Sequence, residues 1–139
     1  MNFAILFKKQ NKKAFELSKN IEEYIKAQGS LVVSESNIKN ADYILTLGGD
    51  GTLIYKAVKY ANLGVPIIGI NTGKLGFLAA ADVGRWKKVV DKILARKIIV
   101  SERMIVEAHF RKDKFFAINE VVIKGLYRVV NLLVSMDGK

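Results

Sequence analysis

One stretch constrains this chain more than any other: YILTLGGDGTLIYKAV, from Tyr43 to Val58. An apolar run, Tyr43 to Leu47, stops at Gly48-Gly49-Asp50-Gly51, and Thr52 then opens a helical pattern. A strand apolar on both faces has to be covered on both faces, which is what a parallel sheet between layers of helices provides. The expectation is therefore an α/β fold in which this loop lies at the carboxyl end of a strand.

The rest of the first hundred residues repeats that grammar. Asn2 to Phe7 reads as a buried first strand and Lys12 to Gln28 as a helix. Ala14, Leu17, Ile21, Tyr24 and Ile25 fall at spacings of three and four on one face of it. Gly29 can end that helix. Leu31-Val32-Val33, Ala41 to Leu47 and Ile67 to Ile70 read as further strands. Thr52 to Asn62 and Asp82 to Ala95 read as helices, the latter with Trp86, Val89, Val90, Ile93 and Leu94 as its stripe and Asp82 as a cap. Alternating strands and helices predict a Rossmann-like parallel sheet with right-handed crossovers over residues 1–97. After Lys97 the pattern changes. Ile98 to Phe110, Phe115 to Lys124 and Arg128 to Met136 read as successive antiparallel strands, so residues 98–139 are expected to begin a second, β domain. Asp137-Gly138-Lys139 reads as a hairpin turn without its returning strand, hence an expectation that the polypeptide stops inside that domain.

Totals exclude several chemistries. The chain of 139 residues has no cysteine, which removes disulfides and thiolate metal sites and fits a reducing, cytoplasmic setting. No apolar stretch is long enough to span a membrane, and Met1 to Phe7 meets Lys8-Lys9 too soon for a signal peptide. A single histidine, His109, stands in an apolar strand with no acid marked as its partner and reads as structural; no nucleophilic triad can be assembled. The net charge of +10 favours anionic partners such as nucleotides. The lysines are scattered and not interleaved with aromatics, which argues against nucleic acid.

At the quoted loop, glycine lets another molecule approach the main chain, and the helix that follows points free N–H groups and its positive dipole end into the same space. That suits phosphate. Asp50 does not, so it implies different chemistry, either accepting a proton or hydrogen bond from a sugar hydroxyl or holding Mg²⁺ beside the phosphates. The plainer alternative is an N-cap on a tight turn. The spacing matches neither the dinucleotide fingerprint G-x-G-x-x-G nor a P-loop.

A second strand end repeats the theme in Asn71-Thr72-Gly73-Lys74-Leu75-Gly76-Phe77-Leu78. Neighbouring strands would set this loop beside the first. Asn71 can bond a ribose or hold the turn, Lys74 can meet phosphate and Phe77 can stack on a base. Further on, Asn119 and Glu120 interrupt the apolar run Phe116 to Ile123. Adjacent strand residues face opposite sides, so one of the two should point into a packed face or cleft and need a partner there.

With these three segments together, the chain resembles the NAD kinase family. Gly48-Gly49-Asp50-Gly51-Thr52 alone is shared with diacylglycerol and sphingosine kinases and loosely with phosphofructokinases. Asn71 to Leu78 and Asn119-Glu120-Val121-Val122-Ile123 are what distinguish NAD kinases. The resemblance implies transfer of a phosphoryl group from ATP or polyphosphate to the 2′-hydroxyl of the adenosine ribose of NAD, giving NADP. It implies Asp50 as proton acceptor and Gly51, Phe77, Asn119 and Glu120 at the NAD site. It implies Gly48, Gly49, Thr52 and Asn71 at the phosphate-donor site, with Mg²⁺ or another divalent metal on the donor; the ligands of that metal stay unassigned. It also implies a homodimer or homotetramer, and a later glycine- and hydroxyl-rich motif that completes both sites. Where many members carry a basic residue five positions after the motif acid, this chain has Tyr55, with Lys56 next. The alternatives are a lipid kinase of the diacylglycerol or sphingosine type, whose expected Gly-Thr-Gly-Asn-Asp-like segment is absent, and an inactive nucleotide-binding fragment.

Overall fold

The computed structural model describes residues 1–73, 76–125 and 129–137. The chain divides into two compact units, Met1–Met104 and Ile105–Lys139.

The first unit is built on a five-stranded parallel sheet: β1 (Asn2–Phe7), β2 (Leu31–Val33), β3 (Tyr43–Leu47), β4 (Ile67–Asn71) and β5 (Ala81–Asp82), in the order β2-β1-β3-β4-β5. The helices are α1 (Lys12–Ala27), α2 (Asp50–Tyr60) and α3 (Trp86–Leu94). Alternation along each strand sorts the core into two layers. Phe3, Leu45, Leu47 and Ile70 pack with Ala14, Leu17, Ile21 and Ile25 of α1 and Val90 and Ile93 of α3. Ala4, Leu6 and Ile44 face the other way, onto Ile38 of the 3₁₀ turn Glu35–Asn40 and onto Tyr60 of α2. The two faces follow from handedness. The chain leaves β1 in one direction through α1 and leaves β3 in the opposite direction through α2, so right-handed crossovers put the two helices on opposite sides. Ile21 and Ile25, both fully buried, each contribute about 1.5–3 kcal/mol by leaving water.

Helix ends follow local chemistry. Asn11 caps α1, its Oδ1 accepting from the Ala14 N–H at 3.1 Å. Gly29 takes the left-handed conformation, φ +73°, just past the end of α1. Asp82 does not cap α3 as its position suggested. It lies in β5, and its Oδ1 accepts from the Gly84 N–H at 2.9 Å, so it shapes the turn that precedes the helix.

The second unit is a hairpin of β6 (Val106–Phe110) and β7 (Asp113–Ala117), antiparallel and in register from Val106↔Ala117 to Phe110↔Asp113. The three long strands expected from the sequence are thus shorter or absent: residues 98–105, 118–125 and 129–136 carry no strand. The reason lies in the ladder. β6 starts at Val106, so β7 has no partner past Ala117, and apolar composition alone does not hold an unpaired strand. His109 is exposed and has an acid partner after all, Glu107 Oε1 at 2.5 Å on the same face. Among the described residues no helix is long and apolar enough to cross a membrane.

Candidate functional site

In an open parallel sheet the useful edge is the one at the carboxyl ends of the strands, and the crevice opens where the strand order reverses. Here that point lies between β1 and β3, which pair from Phe3↔Tyr43 to Phe7↔Leu47. Three loops meet along this edge: Lys8 to Asn11 after β1, Gly48-Gly49 after β3, and the segment after Asn71. Asn11 Nδ2 donates to Thr72 Oγ1 at 3.3 Å, tying the first loop to the third. A concavity of about 490 Å³ lined by Met1, Asp42, Tyr43, Pro66, Arg96, Ile98 and Val100 lies at the opposite, amino edge. The glycine loops, the helix N-terminus and the carboxylate are all at the carboxyl edge, which makes that edge the candidate site.

The glycines of the first loop do different jobs. Gly48 has φ +156°, and a β-carbon on it would sit 2.7 Å from Thr52 Oγ1; the fold itself demands glycine here. Thr52 is buried behind it. Among the described residues, a β-carbon on Gly49 or Gly51 would meet nothing within 4 Å. Gly49 has ordinary extended angles, φ −83° and ψ 178°, and is the N-cap of α2. Gly51 sits in the first turn of α2, where glycine costs up to about 1 kcal/mol relative to alanine. Packing therefore explains the first glycine and leaves the other two as open main chain at the rim.

Asp50 is the first residue of α2 and does not cap it. Its carboxylate turns to the second glycine loop instead: the Phe77 N–H donates to Oδ2 at 2.8 Å and the Leu78 N–H to Oδ1 at a longer 3.4 Å. The loops are thus adjacent, as the neighbouring strand ends implied. A carboxylate has about four acceptor positions, and among the described residues these two N–H groups are the donors it meets from the second loop. The Phe77 ring is fully exposed. A large apolar ring standing in water, on a residue whose main chain meets a carboxylate, suits a stacked, hydroxyl-bearing ligand. Asn71 is buried, and its Oδ1 accepts from the Gly73 N–H at 2.8 Å, so it holds the turn. Lys74 and Leu75 lie outside the described residues.

Tyr55 is exposed on α2. Lys56 is turned to Glu35, 2.9 Å away, as part of a cluster in which Lys59 and the Tyr60 hydroxyl also donate to Glu35. The Tyr60 hydroxyl, then Lys56, hold the Glu35 carboxyl down from its ordinary 4.5 to about 2. Lys56 is therefore spent on fixing α2 to the 3₁₀ turn. Sequence reading missed this cluster, for which the spacing of Lys56, Lys59 and Tyr60 by three and four residues was the available signal.

Asn119 and Glu120 lie in the second unit, just past β7, in a bend rather than a strand, and both are exposed. The expectation that one of them points into a packed face is corrected by the short ladder described above. Among the described residues no three His, Cys, Asp or Glu side chains gather as a metal cage.

Residues 32–98 match the profile of the ATP-NAD kinase N-terminal domain. NAD kinase of Caldicellulosiruptor bescii is 32% identical over 143 residues, covering 99% of this chain and 55% of that protein. NAD kinase of Fusobacterium nucleatum is 33% identical over 124 residues, covering 88% and 46%, and that of Symbiobacterium thermophilum 43% over 102 residues, covering 68% and 36%. The chain spans about half the length, or less, of the curated relatives it matches. Among solved structures, yeast NADH kinase complexed with NADH superimposes with a TM-score of 0.67 at 20% identity, over 84% of this chain and 43% of that one, a likeness of fold. An NAD kinase from Archaeoglobus fulgidus in complex with ATP gives 0.58 at 27% identity, over 78% and 42%. The lipid-kinase alternative finds no support among these likenesses. Sheet, loops and relatives agree, and the chain belongs to the NAD kinase family.

Proposed function

We infer that this chain serves an NAD kinase: it takes part in moving a phosphoryl group from ATP, or polyphosphate, to the 2′-hydroxyl of the adenosine ribose of NAD. The observation that carries this reading is the Asp50 carboxylate held at the carboxyl edge between two open glycines and the exposed Phe77 ring. In the reaction the ribose oxygen bonds to the terminal phosphorus of the donor. The bond from that phosphorus to the bridging oxygen breaks, ADP or the polyphosphate shortened by one unit leaves, and the hydroxyl proton passes to the Asp50 carboxylate. Gly51 gives the dinucleotide close access to the main chain and Phe77 offers it a stacking face; the family resemblance assigns its adenosine portion to Asn119 and Glu120. Gly48 and Gly49 border the donor phosphates, while Thr52 and Asn71, both buried, support that border from behind.

A divalent metal as a companion of the donor's phosphates belongs to the same reading, since Mg²⁺ commonly binds through substrate phosphates with only one or two carboxylates. When bound it would spread phosphate charge. A cytoplasmic homodimer or homotetramer belongs to the same reading.

The test is direct. The protein is incubated with NAD and ATP–Mg²⁺, NADP is read with an NADP-specific dehydrogenase, and the phosphorus position is checked by ³¹P NMR. Binding of NAD and ATP is measured in parallel by calorimetry. Formation of 2′-phosphorylated product supports the reading in full. Binding of NAD without turnover supports the site and places the missing chemistry outside these 139 residues. Binding of neither nucleotide overturns it.

A further inference from the structure

The two glycine loops touch through one side chain. A β-carbon on Gly76 would lie 2.3 Å from both Asp50 carboxylate oxygens and 2.4 Å from Asp50 Cγ. No such contact is tolerable, so the carboxylate fills the space that the missing side chain leaves. From that seat it takes the N–H groups of the next two residues, Phe77 and Leu78. The space around the flanking Gly49 and Gly51 is open, so neither has a side chain that could steer Asp50 elsewhere.

An exposed aromatic on a loop is an expensive binding element when the loop is free, because its main chain must be ordered each time a ligand arrives. A charge-assisted acceptor for the Phe77 N–H removes that cost in advance. We propose that Gly76 is a positioning residue. It seats the Asp50 carboxylate, which then holds the Phe77 main chain, so that the stacking ring and the proton acceptor are presented to the dinucleotide as one preassembled unit. The proposal rests on the NAD kinase reading. It concerns the acceptor side only, so affinity for the phosphate donor serves as the control.

Gly76→Ala tests this, because it evicts the carboxylate while leaving Asp50 chemically intact. The obstructing atoms are the end of a short side chain, so the fold is expected to survive, and the thermal midpoint checks that it does. Amide hydrogen exchange at Phe77 and Leu78 is followed in the full chain without ligand, and affinities for NAD and for ATP–Mg²⁺ are measured separately. The expected result is exchange at Phe77 faster by about tenfold and NAD affinity weaker by about tenfold, the worth of one charge-assisted hydrogen bond, with ATP affinity unmoved. In an Asp50→Ala background Gly76→Ala should add nothing to exchange, since the seat is already empty. Phe77→Ala should weaken NAD while leaving Leu78 protected.

Unchanged exchange at Phe77 in Gly76→Ala overturns the proposal. So does equal loss of NAD and ATP affinity, which would mark general damage. If the exchange pattern holds but the wild-type chain binds no NAD, the contact stands, and both the NAD kinase reading and the positioning role built on it fall.

Discussion

A β-carbon on Gly48 would stand 2.7 Å from Thr52 Oγ1 and 2.9 Å from Thr52 Cβ, so strand and helix join here only through glycine. Thr52 is anchored in α2 and buried, and cannot step aside. Gly48→Ala should therefore lower stability by about 1–3 kcal/mol, the usual range for overpacking. Chemical denaturation of wild type and variant reads it.

Gly51→Ala should do the reverse. With open space at its β-carbon and a helical position, alanine gains up to about 1 kcal/mol of stability. If the main chain there is where the dinucleotide lies, NAD affinity falls in the same variant. A more stable protein that binds worse is the expected signature; a more stable protein that binds equally well would move the ligand away from Gly51.

Asp50→Asn keeps shape and removes the base. Turnover, measured in a protein that shows it, should drop by about 10²–10⁴-fold, the usual worth of a general base. Affinity for NAD should move far less, because the amide oxygen can still accept from the Phe77 N–H. Retained turnover would take Asp50 out of proton transfer.

Glu35 predicts an acid limit. Its carboxyl is held down from 4.5 to about 2 by the Tyr60 hydroxyl and Lys56. A depressed carboxylate stabilises the fold above its unfolded value, and the contribution is lost as pH falls through the folded one. Glu35 is nearly half exposed, with a side-chain exposure of 46%, so solvent screening limits the worth of the cluster to about 1 kcal/mol at neutral pH. Glu35→Gln should be less stable than wild type by that amount near pH 7. The gap should narrow between pH 4.5 and 2 and be gone below pH 2. Urea unfolding at a series of pH values measures it; a gap that stays constant would show that the cluster contributes no charge term.

Much of the first unit was legible because its signals are local. The Ala14–Leu17–Ile21–Ile25 stripe, the apolar β3 and the glycine punctuation each fix an element within a few residues. What pairs with what was less legible. Nothing near Phe3 says that its neighbour is Tyr43. The second unit was over-read for the same reason: residues 98–105, 118–125 and 129–136 have strand-like composition, but a strand exists only where a partner ladder reaches, and the ladder begins at Val106 of β6 and ends at Ala117 of β7. At the site, the residue types were visible and their division of labour was not. Gly48 and Gly51 look alike in sequence, yet one is demanded by Thr52 and the other by nothing in the fold. The role of Gly76 depends on a carboxylate 26 positions earlier in the chain, which no local pattern discloses.

Placing β1 between β2 and β3 also sets a timetable for synthesis. Asn2–Phe7 leaves the ribosome before Tyr43–Leu47, so its pairing with that segment has to wait until the later one has emerged. Until then Phe3 and Leu6 have cover on one flank at most. Through that interval the nascent chain carries an unpaired strand edge, the kind of surface on which a growing polypeptide is most exposed to association.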